Sequence, residues 1–137
     1  MDGNVTWSYL DDGSDPAGDS TTAGYDRTSW TKDDYDISAW KTATGPFGAK
    51  KGKINDLGGG CTQKTLLTQY KADGTTDIEA FFFRTDVTIP DASKVTKISG
   101  SVIYDDAATV YVNGVKIAGF DDDSITGNLQ YGGGGVG

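Results

Sequence analysis

The chain has 137 residues, 12 basic and 20 acidic side chains, a formal net charge of -8, one cysteine and no histidine. That length fits one domain, the lack of imidazole excludes His-based triads and His metal sites, and a single Cys excludes an intrachain disulfide framework. The negative field repels phosphate backbones and anionic lipid heads, so neither nucleic acid nor membrane insertion is expected.

The 20 glycines, and acidic residues that are all Asp except Glu79, favour turns over helix. With Trp, Tyr, Phe, Val and Ile recurring in short clusters, the composition predicts an all-β chain with polar loops. The first predicted strand covers 4–10, where Val5, Trp7 and Tyr9 alternate with Thr6 and Ser8. It ends in the turn formers Asp11-Asp12-Gly13-Ser14-Asp15-Pro16. A long polar stretch follows, closing at Thr44-Gly45-Pro46-Phe47-Gly48 and expected to be ordered loop with short pieces of strand or helix, pinned by Tyr25, Trp30, Tyr35 and Trp40. Lys50, Lys51 and Lys53 read as a solvated basic loop and Gly58-Gly59-Gly60 as flexible loop. Cys61, with no base beside it, reads as incidental.

Further strands are predicted over 65–70, over 78–89 up to Pro90, over 94–104 and over 109–120. Within the last, Val112-Asn113-Gly114-Val115 predicts a hairpin, because Asn-Gly accepts positive φ at both centres of a type I′ turn. Short strands separated by turn signals, with no amphipathic helix between them, predict an antiparallel sandwich.

Trp7-Ser8-Tyr9-Leu10-Asp11-Asp12-Gly13-Ser14-Asp15-Pro16 resembles the start of a galactose-binding-like β-sandwich module. The segment from Asp36 through Trp40 to Gly48 is similar to that family's D-x-S-x-W-x-x-G-x-x-P-x-G element, and Ala80-Phe81-Phe82-Phe83-Arg84 to its Y-F-R-K-x-F strand. Tyr104-Asp105-Asp106-Ala107-Ala108-Thr109-Val110-Tyr111-Val112-Asn113-Gly114 is similar to its D-D-x-x-x-V-Y-V-N-G hairpin. The resemblance implies an antiparallel jelly roll over 1–131, a Gly-rich tail or linker over 132–137, and a missing last strand. It also implies an ancillary role, extracellular or at a bacterial cell surface with the signal peptide removed. Such modules adjoin calcineurin-like metallophosphoesterases or glycan-active enzymes, whose catalytic domain would lie outside this chain.

The expected function is accordingly non-catalytic: weak carbohydrate binding, or positioning of an adjacent catalytic domain. Loop aromatics can stack on a sugar face and carboxylates can accept hydroxyl hydrogen bonds. On that basis Trp30, Tyr25, Tyr131, Asp121 and Asp122 are the candidate ligand residues, with Trp7 and Trp40 expected as core or loop anchors. Asp-rich turns can supply the hard oxygens calcium takes, which makes Asp11, Asp12, Asp15 and Asp123 candidate ligands of a structural Ca²⁺. No other cofactor is expected, and neither turn fits an EF-hand loop. Asp33, Asp34 and Asp36 form a weaker acidic group. Asp105 and Asp106 are expected to accept turn amides or pair with Arg84, or else to bind sugar hydroxyls. Two alternatives stand beside this reading. One is an interaction domain completed by a strand from a partner or from a removed C-terminal segment. The other is a fragment of a glycosidase-like or phosphoesterase enzyme.

Overall fold

The computed structural model describes residues 5–56, 58 and 60–130. Regular structure there consists of strands and two 3₁₀ turns, with no α-helix, as the Asp- and Gly-rich composition predicts. The central strand, β1 (Thr6–Leu10), pairs antiparallel with β2 (Lys41–Thr44) on one edge. On its other edge it pairs with a short strand at Phe82–Arg84, matching Tyr9 to Phe83 and Leu10 to Phe82. Between them in sequence, β3 (Phe47–Gly48) and β4 (Thr65–Leu66) make a two-stranded parallel pair. In chain order the Phe82–Arg84 strand is β5. The hairpin of β6 (Ala108–Val112) and β7 (Val115–Phe120) forms a third sheet.

Alternation in β1 turns Trp7 and Tyr9 to one face, and the core forms around Tyr9, Trp40, Leu67, Ile78 and Phe82. Phe47 packs between Tyr9 and Phe83, with ring centroids 5.2 and 4.9 Å away. The polar stretch from 17 to 40 is ordered loop with one 3₁₀ turn at Ser29–Thr31, and its continuation to Gly48 carries β2 and β3, in line with the expected loop containing short regular pieces. Its backbone is held by repeated tight turns in which Asp19, Asp26 and Asp36 each accept from the amide two residues on.

The hairpin forms where the sequence placed it. Asn113 has φ 47° and Gly114 φ 83°, both in the left-handed region that a type I′ turn demands. Three other strands are shorter than expected. The 65–70 candidate is regular only at β4. The 78–89 candidate is regular only over β5; ahead of it the Ile78 amide donates to the Gln69 carbonyl, closing the tight 70–77 loop beside the Tyr70–Asp77 bridge. The 94–104 candidate contains no strand: Asp91 caps a 3₁₀ turn at Ala92–Lys94, and residues 95–104 run on without a ladder partner. β-branched side chains favour strand only where a neighbouring strand takes up the backbone groups. The described residues make three separate small sheets of an all-β chain, and no closed sandwich is shown among them. The 132–137 tail and Tyr131 lie outside the described residues.

Candidate functional site

Carboxylates organise three places where segments distant in sequence meet. Asp11, at the end of β1, is 1% exposed. Lys41 Nζ of β2 donates to its Oδ1 at 2.7 Å, and the amide of Thr68 donates to its Oδ2 at 2.8 Å. Burial opposes ionisation of Asp11, but those two donors outweigh it and hold the carboxyl below the usual carboxylate range. The Lys41 ammonium also sits 5.7 Å from the centroid of the Tyr9 ring.

Asp15 gathers the loop region. Its Oδ1 accepts from Ala17 N and Asn128 Nδ2, each at 2.8 Å, and its Oδ2 accepts from the Tyr25 hydroxyl at 2.6 Å. Asn128 also donates to the Arg27 carbonyl at 2.7 Å, so the end of the described chain is tied to its first long loop. Burial, the bond to Asp15 and that residue's charge push the Tyr25 phenol up to about 12.

Asp122 lies just past β7 and is 7% exposed. Lys116 Nζ donates to its Oδ2 at 2.7 Å, and the Thr109 hydroxyl donates to the same oxygen. These donors lower its pKa against the opposing effect of burial. Gly119 lies against this carboxylate, and a Cβ there would overlap it.

Trp30 is half-buried and central to an aromatic cluster. Phe82 and Tyr111 meet it edge-on at 5.1 and 5.9 Å, and Trp40 lies 6.3 Å away with Tyr35 on its far side. The ring's contacts are therefore made to the protein itself. Nη1 of Arg84 donates to the carbonyls of Trp30 and Lys32, at 3.1 and 2.9 Å.

These placements decide how the expected residues relate. Trp30, Tyr25 and Asp122 belong to three different internal networks, and Asp121 accepts from the Tyr104 hydroxyl at 2.9 Å. The expected Tyr131 lies outside the described residues. The four candidate calcium ligands also have separate surroundings. Asp11 is paired with Lys41, Asp12 accepts from Ser14 N and Oγ, Asp15 holds Tyr25 and Asn128, and Asp123 is exposed. Among the described residues no three metal-ligating side chains converge. The expected ion pair of Asp105 or Asp106 with Arg84 is not made among the described residues, and Nη1 of Arg84 donates to the Trp30 and Lys32 carbonyls instead. Trp40 is buried in the core, whereas Trp7 is only half-buried and is not one of the core residues.

Lys41, Thr68, Lys116 and Asn128 were not among the sequence candidates. Each acts on a carboxylate that was, and no linear spacing marks partners as distant as Asn128 and Asp15. Space for a small ligand exists elsewhere, in an open groove of about 350 Å³ along residues 66–71, bordered by Leu66, Gln69, Tyr70 and Gly52.

No protein-family model matches the chain, and no curated protein or solved structure matches it significantly. The galactose-binding-like resemblance rests on the motifs quoted above.

Proposed function

We propose that this chain is a non-catalytic, extracellular β module that works by association, its open half covered by another chain segment or domain. The observation that carries this reading is the uneven distribution of apolar side chains. Among the described residues the buried hydrophobic residues all lie between Tyr9 and Phe82, where Ile54 and Leu66 are the exposed large apolar ones. Later in the chain, Val87, Ile89, Val95, Ile98, Val102, Ile103, Tyr104, Val112, Val115 and Ile117 are exposed. Single exposed apolar residues are ordinary; on this proposal the ten within 87–117 are surface that a partner covers. In this reading the covered assembly is the jelly-roll sandwich of galactose-binding-like type, and the module positions an adjacent catalytic domain.

The test is binding of a neutral polarity-sensitive dye, Nile red, to the folded chain. Saturable dye binding that falls in a Val112→Thr, Val115→Thr, Ile117→Thr variant of unchanged melting temperature is the expected result. A cooperatively folded chain that leaves the dye dark overturns the reading.

Weak carbohydrate binding is a second reading, and the groove beside Tyr70 favours it. The Tyr70 ring with the Lys71 ammonium beside it offers both stacking and a hydrogen-bond donor to a sugar. Glycan-array signals lost in Tyr70→Ala but kept in a folded Trp30→Phe variant would support that groove. A blank array would remove it, and loss only in Trp30→Phe would return the site to the aromatic cluster.

A further inference from the structure

The register of the β6–β7 hairpin sorts its side chains into two unlike faces. The pairs Tyr111–Lys116 and Thr109–Gly119 face the body of the protein, where Tyr111 meets Trp30 and both Thr109 and Lys116 bond Asp122. The pairs Val112–Val115, Val110–Ala118 and Ala108–Phe120 share the other face, which is wholly apolar. Val112 and Val115 on that face are 47% and 64% exposed.

The hairpin's two outer edges also differ. β7 carries the irregularity opposite Val110/Tyr111, with Ile117 as the extra residue, and it contains Gly119. A bulge and a glycine both disfavour a further strand. β6 reads Ala-Thr-Val-Tyr-Val, with no Pro, Gly or Lys to guard it. Among the described residues no backbone hydrogen bond leaves this edge. Asp105 and Asp106, which lead into β6, are exposed and make no ion pair among the described residues.

We propose that the free edge of β6 takes up an antiparallel strand of a partner protein, apolar at alternate positions and basic at its C-terminal end. This rests on the association reading above and names its site and partner. Antiparallel addition satisfies the backbone groups of β6 and continues its apolar face with every second partner residue. The same direction sets the end of the incoming strand beside Asp105 and Asp106, where Lys or Arg is favoured. A second copy of this chain brings another charge of -8 and is disfavoured at long range.

The experiment titrates the full chain with two synthetic peptides of alternating Val and Thr, one ending in Lys-Lys and the other in Asp-Asp. The Lys peptide is expected to bind roughly threefold to tenfold more tightly, an advantage that shrinks as salt is added. Hydrogen exchange is expected to slow at alternate amides over 108–112. The Asp105→Asn, Asp106→Asn variant is expected to lose the preference and keep that protection, since Asn tolerates the positive φ of 62° at Asp106. Equal affinity for the two peptides, or protection confined to β7, overturns the proposal. Concentration-dependent dimerisation with protection at β6 assigns the edge to a second copy and overturns it too. Failure of both peptides on a chain that binds Nile red overturns this proposal alone, whereas a folded chain that ignores the dye removes the association reading beneath it.

Discussion

Trp30 and Tyr111, in a loop and a strand far apart in sequence, meet edge-on with centroids 5.9 Å apart and planes at 72°. This contact seats the hairpin on the long polar loop, and the same indole reaches Phe82 of β5. One side chain thus joins the loop region, the central sheet and the hairpin. Replacing it by Ala is expected to cost about 3 kcal/mol. Tyr111→Ala is expected to cost less, and the double variant less than the sum, because the two rings share a contact. Urea denaturation of the four proteins checks this; strict additivity would mean that the rings stabilise independently.

Tyr25 gives a prediction at alkaline pH. Its phenol is pushed up to about 12, above its ordinary value of 10.0. The stability it contributes is fully present below pH 10 and is lost as the pH rises from there through its folded pKa. Tyrosinate absorbance should show a phenol titrating near pH 12 that disappears in Tyr25→Phe, while Tyr104, raised by its hydrogen bond to Asp121, stays above the ordinary tyrosine value in both proteins. That variant should also have a flatter stability profile between pH 10 and 12. An unchanged number of late phenols in Tyr25→Phe would place the shift to about 12 on another tyrosine.

At acid pH the sign reverses. The Asp11 pKa is lowered, so its contribution is complete above the usual carboxylate range and fades as the pH falls through the folded value. Asp11→Asn is expected to cost about 2 kcal/mol at neutral pH, from loss of a charged acceptor for Lys41 and Thr68. The penalty should shrink on acidification. A penalty independent of pH would show that shape, and not charge, matters at Asp11.

Gly119 is fixed by its neighbour and not by its backbone angle. A Cβ there overlaps the Asp122 carboxylate that Lys116 and Thr109 hold in place. Gly119→Ala is expected to destabilise by about 1–3 kcal/mol. Combining it with Asp122→Ala, which removes the overlapping oxygens, should recover part of that loss. No recovery in thermal melts would place the strain elsewhere.

Surface substitutions on the apolar hairpin face should behave differently. Val115→Thr is expected to move stability by no more than about 0.5 kcal/mol, because the side chain is 64% exposed. A large loss would show that Val115 is covered within the isolated chain.

What the sequence determined by itself was local. Alternation located β1, Asn113-Gly114 set the hairpin turn, and Asp-rich punctuation made ordered loops, because each depends on neighbours a few residues away. Aromatics spread through the polar stretch also pointed to a pinned loop. Tertiary structure alone decided the rest. The 94–104 segment has strand-forming residues but no ladder, since β pairing needs a second strand that its own sequence cannot supply. The same holds for the candidate site residues. Trp30, Tyr25, Asp11, Asp15 and Asp122 were visible as residue types, but whether a ring or carboxylate faces solvent or a neighbour depends on partners brought from elsewhere in the chain. Lys41, Tyr111 and Asn128 are those partners, and long-range packing put them there.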